Sequence, residues 1–354
     1  MKVYEHETKK MKYQDIYDDL NTAINNGNYP YKSYLPTERS LSTQYGVSRL
    51  TVRKAIDKLV NESKVRRIQG AGNMVLVKTE ESSGDLVVLA FSGNYGNKMQ
   101  QPFVEMLLQD FNDQCKRKGY NLLYVSLKKE ESEDQLLLDK SRVKGIVFAS
   151  EIDKKFISAA LHANIPVVLL SNRHPDVICI NPNNQEGCFA ATEHLIEKGA
   201  KKIGFIGGIS SHYNSSERFA GYQRALACNG ITREENLLAE GDWSFESGYM
   251  AMGQLIEGNP DIDAVVAAND VMALGALRML VESGYIVPQD FQVIGFDDIS
   301  QSKFSTPMLS TVSVDTEFVA MLVLSLLDTQ ANDGVEFHKE LLVQTALQLR
   351  ESTR

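Results

Sequence analysis

Long apolar runs are missing from this sequence. Even the longest, such as Leu86 to Phe91 and Val319 to Leu324, fall far short of the roughly 20 residues that a membrane-spanning helix needs. The first 20 residues mix charged and aromatic side chains and lack the apolar segment of a secretory signal. These absences predict a cytoplasmic protein that makes no membrane contact.

Cysteine is scarce, and its four copies are widely separated: Cys115, Cys179, Cys188 and Cys228. No Cys-x-x-Cys pair occurs, so the spacing predicts neither a disulfide framework nor a metal site. The histidines are equally scattered and are expected to be structural or surface residues: His6, His162, His174, His194, His212 and His338. The glycines from Gly204 to Gly208 complete neither a dinucleotide fingerprint nor a Walker loop. We therefore expect no cofactor, no catalytic residues and no enzyme.

The size and composition are those of a folded protein with more than one domain. At about 150 residues per domain, 354 residues predict two or three domains. The hydrophobic fraction of 43% and the charged fraction of 23% are ordinary for globular chains, which argues against disorder.

Charge is distributed unevenly along the chain. Residues 1–78 contain 14 Lys and Arg against 8 Asp and Glu, a net charge of +6. Because the whole chain carries −9, the remainder carries −15. A basic head on an acidic body is the distribution expected when only the head contacts DNA phosphates.

Three helices and a hairpin are predicted in the head. Apolar residues recur at helical spacing from Tyr13 to Ile24, Thr37 is positioned to cap a second helix, and Ser48 a third that ends near Asn61. Two strand-like runs follow, Val65 to Gln69 and Met74 to Val77. This order predicts a winged helix-turn-helix in residues 1–77, followed by a polar linker, 78–84.

Residues 85–354 alternate short apolar runs with helical or loop segments, which predicts parallel sheets wound by right-handed crossovers. In such α/β folds, ligands bind beyond the carboxyl ends of the strands. The predicted strands are Leu86 to Phe91, Asn121 to Ser126, Gly145 to Ala149, Pro166 to Leu170, Lys202 to Ile206, Ala264 to Ala268 and Phe291 to Phe296.

Residues 12–77 resemble the GntR family of bacterial transcription factors. The resemblance is carried by Leu35-Pro36-Thr37-Glu38-Arg39-Ser40-Leu41, Tyr45-Gly46-Val47-Ser48-Arg49, Thr51-Val52-Arg53-Lys54-Ala55 and the wing, Arg66-Arg67-Ile68-Gln69-Gly70-Ala71-Gly72. Ser63 or Lys64 stands where the family commonly has Gly, and Asn73 where it has Thr. The resemblance implies operator DNA as a partner, contacted by Glu38, Arg39, Ser48, Arg49, Thr51, Arg53, Gln69, Gly70 and Gly72.

The body resembles the effector domain of the LacI/GalR family, which has the periplasmic sugar-binding fold. Its motifs here are Glu193-His194-Leu195, Ile203-Gly204-Phe205-Ile206-Gly207-Gly208, Ser216-Glu217-Arg218-Phe219-Ala220-Gly221-Tyr222, Ala268-Asn269-Asp270 and Val293-Ile294-Gly295-Phe296-Asp297-Asp298. The resemblance implies two Rossmann-like lobes, about 85–180 with 299–325 and about 181–298 with 326–354. Effector contacts are expected at Ser92, Asn94, Tyr95, Phe103, Asn172, Arg218, Trp243, Asn269 and Asp297.

The combination resembles arabinose-repressor-type hybrid regulators. Residues 76–84 lack the Leu-bearing hinge helix of LacI/GalR proteins, so coupling is expected to run through a plain linker. The resemblance implies a homodimer formed through helices near Phe103 to Lys116 and Glu317 to Leu327.

The leading hypothesis is a nucleoid-associated repressor of a carbohydrate operon, released by a monosaccharide, with an arabinose-like pentose as first choice. One alternative is an effector-activated or co-repressed regulator that responds to a sugar phosphate or a purine. The other is a sugar-binding protein or enzyme with a vestigial head.

Overall fold

A computed structural model describes residues 13–25, 28–29, 32–68, 71–76, 85–92, 102–132, 142–330 and 340–354. The chain divides into two compact units, residues 1–84 and 85–354. None of the helices within the described ranges is long and apolar enough to span a bilayer.

The first unit contains the predicted winged helix-turn-helix elements. They are α1 (Tyr13–Asn25), α2 (Glu38–Gln44), α3 (Arg49–Asn61) and the antiparallel strands β1 (Val65–Ile68) and β2 (Gly72–Val75). Thr37 and Ser48 cap α2 and α3, as predicted, by accepting hydrogen bonds from the backbone N–H groups of Ser40 and Thr51. Gly46 turns the chain between these helices at a φ of +64°, a conformation that glycine adopts at little cost.

A small apolar core holds the head together. It comprises Ile16, Tyr17, Leu20, Ile24, Leu35, Leu41, Val52, Ala55, Ile56, Leu59, Val65 and Val75. On α3 the buried residues recur at the i, i+3, i+4 spacing, so the other face of this helix points into solvent.

The first lobe of the second unit is built on a six-stranded, fully parallel sheet with the order β13-β7-β6-β5-β3-β4. Its elements are β3 (Leu86–Ser92), α4 (Pro102–Lys118), β4 (Asn121–Leu127), β5 (Val143–Ala149), α5 (Lys154–His162), β6 (Val167–Leu170), β7 (Ile178–Pro182), α10 (Thr316–Gln330) and β13 (Glu340–Val343). Helix α10 packs beside α4, where Asp328 accepts hydrogen bonds from Lys118 and Tyr120, each at 2.6 Å.

The second lobe has a sheet with the order β14-β12-β11-β10-β8-β9, in which only β14 runs antiparallel to its neighbour. Its elements are α6 (Asn184–Glu197), β8 (Ile203–Gly207), α7 (Tyr213–Cys228), β9 (Leu238–Glu240), α8 (Phe245–Gly258), β10 (Ala264–Ala267), α9 (Asp270–Glu282), β11 (Gln292–Asp297), β12 (Ser310–Val314) and β14 (Thr345–Gln348). The α/β architecture predicted from the sequence is confirmed.

The lobe boundaries differ from the predicted ones at two places. Residues 299–325 were expected in the first lobe, but β12, which lies within this range, pairs in parallel with β11 of the second. Residues 326–354 were expected in the second lobe, but β13, which lies within this range, pairs in parallel with β7 of the first. In both cases strand pairing decides the boundary.

The chain passes between the lobes three times, after β7, after β12 and between β13 and β14. Two of these connections are hydrogen-bonded to each other, because Asn183 N donates to Val343 O at 2.8 Å. All three connections leave the carboxyl ends of parallel strands, so these ends of the two sheets border one cleft.

Candidate DNA-binding surface and effector cleft

The exposed face of α3 is the candidate DNA-binding surface of the head. Arg49 and Arg53 are exposed on this helix, and Arg39 is exposed on the preceding α2. In helix-turn-helix proteins, the first turns of the second helix of the motif present side chains to the major groove. The three arginines that were expected to contact DNA are thus all accessible within the folded head.

Glu38 holds Arg53 in place. The Arg53 guanidinium donates to both carboxylate oxygens of Glu38, with Nη2 to Oε2 at 2.7 Å and Nε to Oε1 at 3.2 Å. The hydrogen bond from Arg53 keeps the pKa of Glu38 below its usual value. Bidentate pairing fixes both the distance and the plane of the Arg53 guanidinium relative to the carboxylate. Glu38, which was itself expected to contact DNA, therefore orients Arg53.

The other residues expected on DNA fall into three groups. Ser48 and Thr51 face each other with hydroxyl oxygens 2.8 Å apart, and Ser48 is also occupied as the cap of α3. Gly72 begins β2 with a φ of +115°. Gln69 and Gly70 lie outside the described residues.

A cavity of about 140 Å³ opens between the lobes at the strand ends. Its first-lobe wall includes Phe91, Phe103, Ala149, Ser150, Glu151, Leu170 and Ser171; its second-lobe wall includes His212, Tyr213, Asn214, Arg218, Asp242, Trp243, Asn269 and Asp297. Aromatic surfaces on both walls alternate with hydrogen-bonding groups, which is the usual make-up of a small-molecule site.

Arg218 forms the polar base of the second-lobe wall and is only 3% exposed. Its Nε donates to Asn184 Oδ1 at 2.9 Å, its Nη1 donates to the carbonyl of Ala268, and its guanidinium lies 3.7 Å from the ring centre of Phe296. A buried cation requires such partners, because removal from water is costly. These contacts fix the guanidinium in place and occupy two of its five N–H donors, one on Nε and one on Nη1.

Asp297 completes this base. Its Oδ1 lies 3.2 Å from Nη2 of Arg218, yet among the described residues no donor is aligned with that oxygen for a hydrogen bond. Burial raises the pKa of Asp297 to about 6, and the nearby Arg218 limits the rise. The carboxylate is thus oriented and retains capacity to accept a ligand hydroxyl.

Asp270 lies beneath the cleft and is fully buried. It accepts hydrogen bonds from the hydroxyls of Thr311 and Ser302 and from the backbone N–H of Ile299. Burial raises its pKa to about 8, and the negative charge of Asp297 adds to the effect. Asp270 joins α9, β12 and the loop after β11 below the binding residues.

Trp243 lines the second-lobe wall, as expected. Its Nε1 donates to Nδ1 of His212 at 3.0 Å, and its carbonyl accepts from Nδ2 of Asn269 at 3.2 Å. Asn269 also caps α9 by accepting from Met272 N at 2.9 Å. A Cβ atom at Gly208 would lie 2.2 Å from Cζ2 of the indole, so the glycine makes room for the tryptophan.

Four residues of the cavity wall have left-handed backbone conformations without being glycine. They are Ser150, Ser171, Trp243 and Asp297, with φ values of 69°, 55°, 74° and 119°. Such conformations are uncommon for non-glycine residues and concentrate at ligand-binding sites, where the surrounding structure maintains them.

The structure brings five of the nine expected effector residues into the cavity wall: Phe103, Arg218, Trp243, Asn269 and Asp297. Ser92 is buried at the end of β3 and is not part of the wall. Asn172 is also outside it: its Nδ2 donates to Ser150 O at 3.2 Å and its Oδ1 accepts from Arg173 N at 2.7 Å. Asn94 and Tyr95 lie outside the described residues.

Several wall residues were not expected from the sequence, His212 and Tyr213 foremost. The backbone N–H of Tyr213 donates to Glu151 Oε1 of the first lobe at 3.1 Å. Its hydroxyl donates to Glu340 Oε1 at 2.9 Å, and the Arg173 guanidinium lies 4.9 Å from the centre of its ring. Tyr213 thus fastens α7 of the second lobe to three elements of the first.

Family models match both units of the chain. The model described as bacterial regulatory proteins, gntR family, matches residues 12–75, and the periplasmic binding protein-like domain model matches residues 192–353. The repressor PurR of Haemophilus influenzae is 31% identical over 266 residues, which cover 72% of this chain and 79% of PurR.

Solved structures agree with these matches. The complex of the regulator CelR with cellobiose has a TM-score of 0.69 at 26% identity and covers 90% of this chain and 100% of that one. A sugar-binding LacI-family regulator of Escherichia coli, complexed with phosphate, has a TM-score of 0.63 at 28% identity and covers 76% and 98%. The relatives are transcriptional regulators, and this chain belongs to the LacI family of DNA-binding transcriptional repressors, with a GntR-type head in front of its effector domain.

Proposed function

We propose that this repressor leaves its operator when an uncharged monosaccharide binds in the cleft between the lobes. The observation that carries the proposal is the cavity itself, in which Trp243 provides an aromatic face beside the Arg218–Asp297 pair. A sugar offers apolar C–H faces for the aromatic ring and hydroxyls that both donate and accept hydrogen bonds, so it fits both kinds of surface.

The size of the cavity favours a single sugar ring. Its volume of about 140 Å³ is close to the roughly 150 Å³ of an engineered protein cavity that accepts benzene. CelR is similar to this chain and was solved with cellobiose, which supports a carbohydrate effector in general. The resemblance to arabinose-repressor-type hybrids makes an arabinose-like pentose the first sugar to test.

The charges on the wall favour an uncharged ligand. Among the described residues that line the cavity, Glu151, Asp242 and Asp297 are carboxylates, whereas Arg218 is the one guanidinium and is already paired. An anionic ligand would meet more like charge than opposite charge.

The second candidate is an effector-activated or co-repressed regulator that responds to a sugar phosphate or a purine. It is favoured by the similarity to PurR and to a regulator solved with phosphate. It predicts that a phosphorylated sugar or a purine, rather than a neutral sugar, changes operator affinity.

On DNA, we propose that α3 enters the major groove with Arg49 and Arg53 directed at bases. An arginine can donate two hydrogen bonds to one guanine and discriminate against other bases by about 1–3 kcal/mol. Two heads would bind half-sites about one helical turn apart, which requires a dimer. Because the operators lie on the chromosome, the protein would act in the cytoplasm.

Two exposed apolar surfaces on the body support a homodimer. On α10, Phe318 and Met321 are 43% and 44% exposed beside α4. On the second lobe, Phe304 is 83% exposed and borders an apolar groove with Leu277 and Val281. Large exposed apolar patches commonly mark protein interfaces.

Sugar binding need only alter the balance between two arrangements of the lobes. A 100-fold loss of operator affinity corresponds to about 2.7 kcal/mol of coupling free energy. We propose that the ligand favours the closed cleft, in which Tyr213 contacts Glu151 and Glu340, and that the linker transmits the change.

The test is a fluorescence titration of Trp243, the one tryptophan in the chain, with monosaccharides and their phosphates. We expect a saturable change with one neutral sugar, and the same sugar should release operator DNA in a mobility-shift assay. A response confined to phosphorylated sugars or purines would establish the second candidate instead.

A further inference from the structure

We infer that Leu50 is a specificity-determining residue of the head that recognises the methyl group of a thymine in the operator. The inference rests on the proposed entry of α3 into the major groove, and it adds a base preference that the arginines cannot provide.

Leu50 is directed straight away from the core of the head. At about 100° per residue, the buried side chains of α3 lie roughly 140° to 240° around the helix axis from Leu50. Those side chains are Val52, Ala55, Ile56 and Leu59. Leu50 is 63% exposed and contributes little to the fold through packing.

The surroundings of Leu50 are basic. Lys54 and Arg53 follow it at four and three positions along the helix, so both flank it on the exposed face, and Arg49 precedes it. The two nearby carboxylates are both paired with arginines, Glu38 with Arg53 at 2.7 Å and Asp57 with Arg67 at 2.5 Å. Arg49 and Lys54 therefore leave this face positively charged. A positively charged surface that also carries an apolar side chain is suited to bind DNA.

The chemistry of the side chain selects the base. Leucine has no hydrogen-bond donor or acceptor, so it can read a base edge only by apolar contact. In the major groove the apolar group among the base edges is the C5 methyl of thymine. Leu50 lies in the first turn of α3, the part of a recognition helix that reaches base edges.

The experiment tests both partners of the contact: deoxyuridine removes the thymine methyl group from the DNA, and Leu50→Ala removes the apolar side chain from the protein. An operator is first selected from random DNA with the full chain, and each thymine is then replaced in turn by deoxyuridine, which retains all hydrogen-bonding groups. We expect one replacement per half-site to weaken binding of the wild-type chain by about 3- to 10-fold, consistent with loss of one buried methyl contact. Leu50→Ala should bind the two DNAs equally.

Controls separate this inference from the function on which it rests. Arg49→Ala should lose operator affinity and selectivity; if it does not, the proposed role of α3 fails. If Arg49→Ala behaves as expected while no deoxyuridine weakens wild-type binding, or Leu50→Ala keeps the same sensitivity, the inference about Leu50 alone is wrong. Circular dichroism is to be used to check that the variants are folded, and alanine suits this exposed helical position.

Discussion

At the scale of single residues, the burial of Asp270 makes the stability of the effector domain depend on pH. Its pKa, about 8 in the folded protein, is far above that of an aspartate in an unfolded chain. Its contribution to stability is therefore fully present below about pH 4 and is lost as the pH rises through 8. Asp297, with a pKa of about 6, acts in the same direction over a narrower range.

We predict that Asp270→Asn reduces this pH dependence. The asparagine oxygen can accept from Ser302 and Ile299 while its NH₂ group donates to the Thr311 hydroxyl, so the present contacts are preserved. Thermal unfolding from pH 4 to 8 should show a smaller decline for the variant than for wild type. Asp113→Asn, at an exposed position on α4, is the control; equal slopes for Asp270→Asn and wild type would contradict the prediction.

Gly208 gives a second prediction at this scale. Alanine there would place its Cβ 2.2 Å from the Trp243 indole, so the indole must move. We expect Gly208→Ala to weaken effector binding at least 10-fold, measured by calorimetry, while operator binding without effector is unchanged. Gly258→Ala introduces the same methyl group where no atom lies within 4 Å and should bind effector normally.

The resemblance to LacI/GalR effector domains predicted Phe103, Arg218, Trp243, Asn269 and Asp297 in the cleft, because the sequence carries the motifs of that domain. The sequence could not predict His212 and Tyr213, which lie at the start of α7, because their contacts depend on residues far away in the sequence. It also could not show that the amide of Asn172 is used to connect strand ends.

At the scale of structural elements, the contacts of Tyr213 join α7 to the opposite lobe. We predict that Tyr213→Phe weakens effector binding about 3- to 10-fold, because the hydrogen bond to the Glu340 carboxylate joins the two lobes beside the cavity. Calorimetric titration measures the change.

A matched control is available for this variant. Tyr249→Phe removes a similar hydrogen bond, from Tyr249 to Glu282 at 2.7 Å, between α8 and α9 away from the cavity. It should leave effector affinity unaltered. If the two variants behave alike, Tyr213 has no special part in the cleft.

Secondary structure was predictable where its pattern was strong. All seven apolar runs form strands, whereas β7, β9, β12, β13 and β14 were not predicted. These five are short, and β12 reads Ser-Thr-Val-Ser-Val, a polar composition with little strand signal. Their pairing depends on partners far away in the sequence, as the mistaken lobe boundaries also show.

At the scale of the whole molecule, we predict that the apolar surface around Phe304 supports dimerisation. Phe304→Asp would bring a charge into the proposed interface, so we expect the sedimenting mass at micromolar concentration to fall towards that of one chain. Leu342→Asp, at a 51% exposed position on β13, should remain dimeric. A Phe304→Asp protein that stays fully dimeric would exclude this surface.

The three connections between the lobes together form the hinge of the effector domain. Because two of these connections are hydrogen-bonded between Asn183 and Val343, we expect the lobes to rotate about the connections rather than slide past each other. We expect the same rotation whichever compound fills the cleft. Side chains of the pocket can accordingly be exchanged for a new effector without redesigning the movement that carries the signal.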